Sequence, residues 1–132
     1  MVDSDCVVPS NWINNLLQPI IFEGESIVMG NEEIAFKNKL SHQIQRANHD
    51  LLLDHLDGPY INYLDTKNFA IISSLVKKLM FNSSLVQMED FEFYLRLKLN
   101  NYKIRFLKDV KVKHYHKTNF LDWIRVTFSR SY

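Results

Sequence analysis

The stretch that decides the fold is residues 87–116, QMEDFEFYLRLKLNNYKIRFLKDVKVKHYH. It opens with the acidic pair Glu89-Asp90, continues through an apolar-rich segment and a pair of asparagines, and closes on His114 and His116. If the chain folds back at the asparagines, a carboxylate and two imidazoles can meet in one site. The stretch is therefore both a predicted structural centre and a candidate functional site.

The middle of this stretch fits two kinds of secondary structure. Apolar and polar residues alternate from residue 91 to 100, which is the period of a strand. Phe91, Leu95 and Leu99 also fall at i,i+4 spacing, and Leu and Arg favour helix. Acidic residues at its start and basic residues near its end complement a helix dipole. We predict a helix buried on two sides, followed by short strands at 104–106 and 110–112.

The composition indicates one folded domain. The 132 residues are 46% hydrophobic and 13% aromatic, which suffices for a real core. The single cysteine, Cys6, excludes an internal disulfide and favours a reducing compartment. No apolar run approaches the ~20 residues of a membrane span, and residues 1–10 lack the regions of a signal peptide. We expect a cytoplasmic protein, or one at the membrane periphery.

The net charge of +1 hides an asymmetry along the chain. Residues 1–95 hold 6 Lys and Arg against 13 Asp and Glu, whereas residues 96–132 hold 10 against 2. A region of net charge +8 suggests an anionic partner such as a phosphate, a nucleic acid or a membrane surface. The alternative is that the basic segment packs against the acidic remainder of the chain. The sequence leaves both interpretations open.

Asp3 and Asp5 form a D-x-D motif ahead of a predicted helix. On an extended segment the two carboxylates point the same way and can hold a divalent cation through oxygen ligands. Alone the motif carries little weight, because nine aspartates in 132 residues give roughly 0.6 such pairs by chance. Ser10 or Asn11 is the expected N-cap of the helix, which Pro19 should end or kink.

The sequence predicts short alternating elements between these two regions. They are a strand at 26–29, a mainly helical segment at 30–57, strands at 60–63 and 69–72, and a short helix capped by Ser73 or Ser74. His42, His49 and His55 lie along the helical segment. Their spacings of seven and six do not suit a shared metal ion, so solvated or capping histidines are favoured. An amphipathic helix at 121–132 completes the prediction.

Three segments resemble the inverting glycosyltransferases of family 2, which have the GT-A fold. VDSDCVVPSNWINNLL at 2–17 resembles the family's metal-binding D-x-D turn and the helix after it. YLDTKNFAI at 63–71 resembles the segment in which an Asn follows a Thr-Gly pair. Residues 81–116 resemble the acidic-pair helix, the Tyr-Lys-Ile strand and the His-bearing strand. The order and spacing agree across the chain, which makes the combination more specific than any single motif.

The resemblance implies a role for each matching residue. The residues assigned to a divalent cation, Mn²⁺ or Mg²⁺, are Asp3, Asp5 and His114, with His116 as the rival position. The residues assigned to the acceptor side are Asp90 as the general base, its neighbour Glu89, and Asn68. The residues assigned to the donor diphosphate are Arg125 and Arg130.

The resemblance also implies the fold and the partners. We expect an α/β chain with a mixed sheet and flanking helices, in which residues 1–132 form the C-terminal part of one GT-A domain without its N-terminal nucleotide-binding βαβ half. The expected partners are a nucleotide-sugar donor and a glycan or lipid-linked acceptor, with peripheral membrane contact and no nucleic acid. Such a fragment should have weak activity or none alone. Lys67 departs from the family pattern, because a Gly often stands there.

A non-enzymatic alternative also fits the sequence. In it, the basic segment at 96–132 docks an anionic polymer or a membrane surface, and Asp90 only complements the dipole of its helix. Salt-dependent binding that ignores Asp5 would distinguish this alternative from a transferase.

Overall fold

The computed structural model describes residues 1–33, 39–85 and 88–114. Within them the chain is α/β, as predicted. Six strands are present: β1 (Cys6–Val7), β2 (Ile27–Glu33), β3 (Leu56–Asp57), β4 (Tyr60–Ile61), β5 (Phe69–Ile71) and β6 (Ile104–His114). Four helices are present: α1 (Trp12–Phe22), α2 (Lys39–Asp54), α3 (Ser73–Leu79) and α4 (Glu89–Leu99). None of these described helices is long and apolar enough to cross a membrane. The helix predicted at 121–132, with Arg125 and Arg130, and His116 lie outside the described residues.

All six strands belong to one mixed sheet with β6 at its centre. β2 pairs with β6 in parallel, and β5 extends the sheet antiparallel beyond β2. On the other edge of β6, β4 pairs with its first residues and β1 with its last, both antiparallel. β3 adds to β4 at the outer edge. The order along the sheet is β3-β4-β6-β2-β5, and β1 lies beside the C-terminal end of β6.

The sheet separates two apolar cores, because successive side chains of a strand point to opposite faces. In β2, Ile27 and Met29 enter the larger core, whereas Val28 enters the smaller one. α3 and α4 cover the larger core, which also contains the buried residues Ile61, Leu64, Phe69, Leu75, Phe93, Tyr94, Leu97 and Ile104. α1 covers the smaller core through Leu16, which packs with Ala70.

The helix predicted in the central stretch is confirmed as α4, but the prediction that it is buried on two sides is wrong. Phe93 and Leu97 are fully buried, and the Phe93 ring stacks on Phe81 with centroids 4.2 Å apart. Leu95 and Leu99, on the opposite face, are 42% and 81% exposed. Both faces are apolar in sequence, so packing rather than pattern decides which one is inward.

Arg96 fixes the orientation of α4. Its Nε donates to Glu92 Oε1 at 2.6 Å, one turn earlier, and its Nη2 donates to Glu92 Oε2 at 2.7 Å. The same guanidinium donates to the main-chain carbonyls of Leu79 and Met80, where α3 ends. These bonds tie α4 to α3 and hold Phe93 toward the core.

The two short strands predicted on either side of Lys108 are one strand, β6, with a bulge. The register with β2 shifts between Gly30 and Asn31, so several β6 residues have no partner in the ladder. Two asparagines bind the carbonyls that the bulge frees. Asn31 Nδ2 donates to Lys108 O at 3.2 Å, and Asn68 Nδ2 donates to Val110 O at 2.8 Å.

Three local predictions need correction. α1 does not end at Pro19 but continues three residues past it, because a proline in the last turn removes only one hydrogen bond. Ile72 rather than Ser73 occupies the N-cap of α3, so Ser73 is the first residue inside the helix. The strand predicted at 26–29 extends to Glu33, so residues 30–33 are not helical.

Candidate metal centre

The pairing of β1 with β6 brings three potential metal ligands together. Cys6 lies directly opposite His114 in the antiparallel ladder, so their side chains share one face of the sheet. Asp5 precedes Cys6, and its Oδ2 lies 3.2 Å from His114 Nε2. One ligand atom from each of Asp5, Cys6 and His114 lies within 4.8 Å of the other two. These three residues could hold a metal ion.

Asp5 reaches His114 through a turn rather than through an extended segment. Residues 4 and 5 form a turn, closed by a hydrogen bond from Cys6 N to Asp3 O at 3.1 Å. The predicted geometry, with Asp3 and Asp5 side by side on a strand, is therefore wrong. The described structure groups Asp5 with His114, and Asp3 is not among the three converging ligands.

Glu32 lies on the other side of the His114 ring. Glu32 pairs with Val112 in the parallel ladder between β2 and β6, and His114 follows Val112 by two residues on the same face. His114 Nδ1 lies 3.3 Å from Glu32 Oε1, and His114 is only 8% exposed. The Glu32 carboxylate raises the pKa of His114, although burial opposes the change. A carboxylate behind a histidine is the usual support of a metal-binding imidazole, since it turns the other ring nitrogen toward the metal.

Lys67 extends this cluster away from the histidine. Its Nζ lies 3.2 Å from Glu32 Oε2 and 2.9 Å from Asp65 Oδ2. Burial alone would lower the pKa of Lys67, but the two carboxylates outweigh it and raise that pKa. Asp5, His114, Glu32, Lys67 and Asp65 thus form one continuous chain of contacts, which we call the charged network.

The Cys6 side chain is a thiol in the absence of a cation. Partial burial raises the pKa of Cys6 to about 11, and the negative charges of Asp5 and Asp3 contribute in the same direction. A bound cation reverses this balance, because metals bind the thiolate and displace its proton. The environment that disfavours a free thiolate is therefore compatible with a metal-bound one.

Asp90 lies in the first turn of α4, where it stabilises the helix end and is also placed to act as a base. Its Oδ1 accepts a hydrogen bond from Phe91 N at 2.8 Å, as acids at helix N-termini commonly do. Burial raises the pKa of Asp90, opposed by the Phe91 bond and supported by the charges of Asp65 and Glu89. A carboxylate with a raised pKa is a better proton acceptor, which suits a general base. Because Asp65 belongs to the charged network, Asp90 is electrostatically coupled to it.

Asn68 is a buried structural hub. It is 3% exposed, and its Oδ1 accepts a hydrogen bond from Trp12 Nε1 at 2.9 Å. Its Nδ2 donates to Asn31 O at 2.9 Å and to Val110 O at 2.8 Å, so both amide hydrogens are used. Gly30 makes room for this side chain, because a Cβ there would lie 2.2 Å from Asn68 Nδ2. The geometry joins α1, β2 and the β6 bulge at Asn68.

Sequence reasoning brought Asp5 and His114 together but missed four members of the cluster, namely Cys6, Glu32, Lys67 and Asp65. Cys6 had a visible signal, its position beside Asp5 ahead of a helix. Glu32, Lys67 and Asp65 had none that a single sequence shows. Glu32 reaches His114 because β2 lies parallel to β6, and the segment of Asp65 and Lys67 reaches Glu32 because it leads into β5, which pairs with β2. Comparisons with protein-family models, curated proteins and solved structures give no match to this chain.

Proposed function

We propose that this chain is the metal-binding and acceptor-side portion of an inverting glycosyltransferase of the GT-A type. It transfers a sugar from a nucleotide-sugar donor to a hydroxyl group of a glycan or lipid-linked acceptor. The observation that carries the proposal is the 3.2 Å contact between Asp5 Oδ2 and His114 Nε2. The resemblance assigns these two residues, distant in sequence, to one cation.

The chemistry requires a group that accepts a proton and groups that stabilise a leaving diphosphate. Asp90 takes the proton of the acceptor hydroxyl, whose oxygen attacks the anomeric carbon as the bond to the diphosphate breaks. A divalent cation, which the resemblance implies to be Mn²⁺ or Mg²⁺, would neutralise the charge on the leaving group. Asp5 and His114 would hold that cation, and Glu32, which contacts His114 Nδ1, would orient the imidazole.

The electrostatics of the described residues support the assignment of Asp90. Its pKa is raised mainly by burial, with Asp65 and Glu89 adding to the effect. A base must attract the acceptor proton, and a raised carboxylate pKa strengthens that attraction. Lys67 Nζ lies 2.9 Å from Asp65 Oδ2, and its positive charge limits the repulsion between the Asp65 and Asp90 carboxylates. Arg125 and Arg130, assigned to the donor diphosphate, lie outside the described residues.

The first test is binding of nucleotide sugars by calorimetry. UDP- and GDP-sugars should bind in the presence of Mn²⁺, and Asp5→Asn should abolish the metal-dependent part of the binding. Asp90→Asn should leave this binding unchanged, since its side chain acts on the acceptor. Absence of metal-dependent binding to any nucleotide sugar would refute the proposal.

The second test is transfer to a hydroxyl acceptor. We expect the turnover of this chain alone to be weak, and Asp90→Asn should lower it further by about 10²- to 10⁴-fold, the usual contribution of a general base. Asp57→Asn is the matched control, because Asp57 is an exposed carboxylate in β3 that belongs to neither the charged network nor the acceptor side. Turnover that survives Asp90→Asn would show that another group accepts the proton.

A further inference from the structure

We infer that Cys6 is a third protein ligand of the Asp5–His114 cation, which makes the site selective for thiophilic ions such as Zn²⁺ over Mg²⁺ and Mn²⁺. This inference deepens the proposed function by naming the metal class, and it departs from the Mn²⁺ or Mg²⁺ that the resemblance implies. It stands on the placement of Cys6, which neither the resemblance nor the D-x-D motif assigns to a metal.

The backbone fixes Cys6 where a ligand is needed. Cys6 and His114 are paired residues of two hydrogen-bonded strands, so their Cβ atoms are held about 4.5–5.5 Å apart on one face. Asp5 is the next residue and contacts His114 Nε2 at 3.2 Å. Three donors therefore come from two short, paired segments and require no loop to close around the ion.

The distances suit a small tetrahedral site. Zn²⁺ binds sulfur at about 2.3 Å and nitrogen or oxygen at about 2.0–2.2 Å, so tetrahedral ligands lie roughly 3.3–3.7 Å from each other. The Asp5–His114 contact of 3.2 Å lies just below this range, and every separation in the group is at most 4.8 Å. A contraction of about 1 Å, within the reach of rotation about the Cys6 and Asp5 side-chain bonds, completes the geometry.

The donor chemistry decides which ions the site prefers. Mg²⁺ requires near-octahedral oxygen ligands, and a thiolate does not suit it. One sulfur, one nitrogen and one carboxylate oxygen are instead the mixed donors that Zn²⁺ accepts. Three protein ligands leave the fourth position of a tetrahedron for an outside oxygen, the arrangement of a catalytic zinc. In the proposed transferase, that position belongs to the donor diphosphate.

His114 is also prepared for such an ion. Its Nδ1 lies beside Glu32, whose other carboxylate oxygen contacts Lys67. This arrangement supports the imidazole from behind and leaves Nε2 facing Asp5 and Cys6.

The test uses Co²⁺ as a spectroscopic substitute for Zn²⁺. Cys6 is the chain's only cysteine, so a sulfur-to-cobalt charge-transfer band in the near ultraviolet can come from no other residue. We expect this band to saturate at one ion per chain, to persist on dilution, and to vanish in Cys6→Ser. No band in the wild type, or a band that saturates at one ion per two chains, would overturn the inference.

Competition titrations give the second measurement. Cys6→Ser should lower Zn²⁺ affinity on the order of 100-fold while changing Mn²⁺ affinity by less than about 3-fold, because only the softer ion uses the sulfur. Equal losses for the two ions would overturn the inference. Circular dichroism should show that the variant is folded, because Ser differs from Cys by a single atom.

The outcomes separate this inference from the proposed function. A cobalt–sulfur band without metal-dependent binding of nucleotide sugars would support the metal site and refute the transferase. Metal-dependent binding of nucleotide sugars that is unchanged by Cys6→Ser, with no cobalt–sulfur band, would support the transferase and overturn the metal class.

Discussion

Replacing Asn68 by alanine should destabilise the fold far more than an ordinary loop substitution. The side chain makes three hydrogen bonds, with Trp12 Nε1, Asn31 O and Val110 O, and all are 2.8–2.9 Å long. Each intramolecular hydrogen bond contributes about 1 kcal/mol, and a buried partner left without one costs somewhat more. The free energy of unfolding should therefore fall by about 3–4 kcal/mol in Asn68→Ala.

That loss is a large part of the 5–15 kcal/mol that usually stabilises a domain. For a chain of this size it corresponds to a decrease of Tm by roughly 10–15 °C. Asn68→Asp should be at least as harmful, since it would place carboxylate oxygens against two main-chain carbonyls that now accept N–H groups. Asn82→Ala is the matched control, because Asn82 is exposed and, among the described residues, its side chain bonds only to Ser84. This substitution should cost less than about 1 kcal/mol.

Urea unfolding followed by circular dichroism measures these differences, provided that the m-value is the same in all variants. If the free energy of unfolding of Asn68→Ala lay within about 0.5 kcal/mol of the wild-type value, the role of Asn68 as a structural hub would be refuted. If the hub is correct, loss of activity in Asn68 variants must be judged on the folded fraction. Such a loss would then not by itself support the acceptor-side role that the resemblance implies for Asn68.

Two further predictions concern the metal centre. In a chelator competition, Glu32→Gln should lower the affinity for Zn²⁺ about 10- to 100-fold, because the histidine ligand loses its supporting carboxylate. Glu33→Gln is the control and should have no effect, because Glu33 takes part in an exposed ion pair with Lys113. The affinity for Zn²⁺ should also rise with pH, because the ion displaces protons from its ligands. Between the His114 pKa, which is raised above 6.5, and the Cys6 pKa of about 11, one proton leaves, and the affinity should rise about tenfold per pH unit. Below the His114 pKa, one proton leaves Cys6 and one leaves His114, so the affinity should rise about 100-fold per pH unit. In Cys6→Ser the rise per pH unit should be ten times smaller in each range. An affinity independent of pH in the wild type would contradict the ligand set.

The sequence was sufficient for α4 but not for its orientation. Acids at one end and basic residues at the other identify the helix despite a strand-like alternation. Its two apolar stripes, one through Phe93 and Leu97 and one through Leu95 and Leu99, are equivalent by pattern. The choice between them depends on Phe81 and on the ends of neighbouring helices, which a periodicity cannot show.

The same limit explains which members of the site could be found. Asp5 and His114 belong to recognisable segments, and the resemblance assigns both to one cation. Glu32 lies in a segment where the sequence predicted helix, so its position beside His114 could not be derived. Lys67 appeared only as a departure from a family pattern, whereas in the structure it holds Glu32 and Asp65 together.

The charges of the network bear on how a diphosphate could approach. Asp5, Glu32 and Asp65 carry three negative charges against the one positive charge of Lys67, so with a neutral histidine the cluster has a net charge of −2. Such a cluster attracts a divalent cation and repels a free diphosphate. The proposed donor therefore has to bind after the metal or together with it.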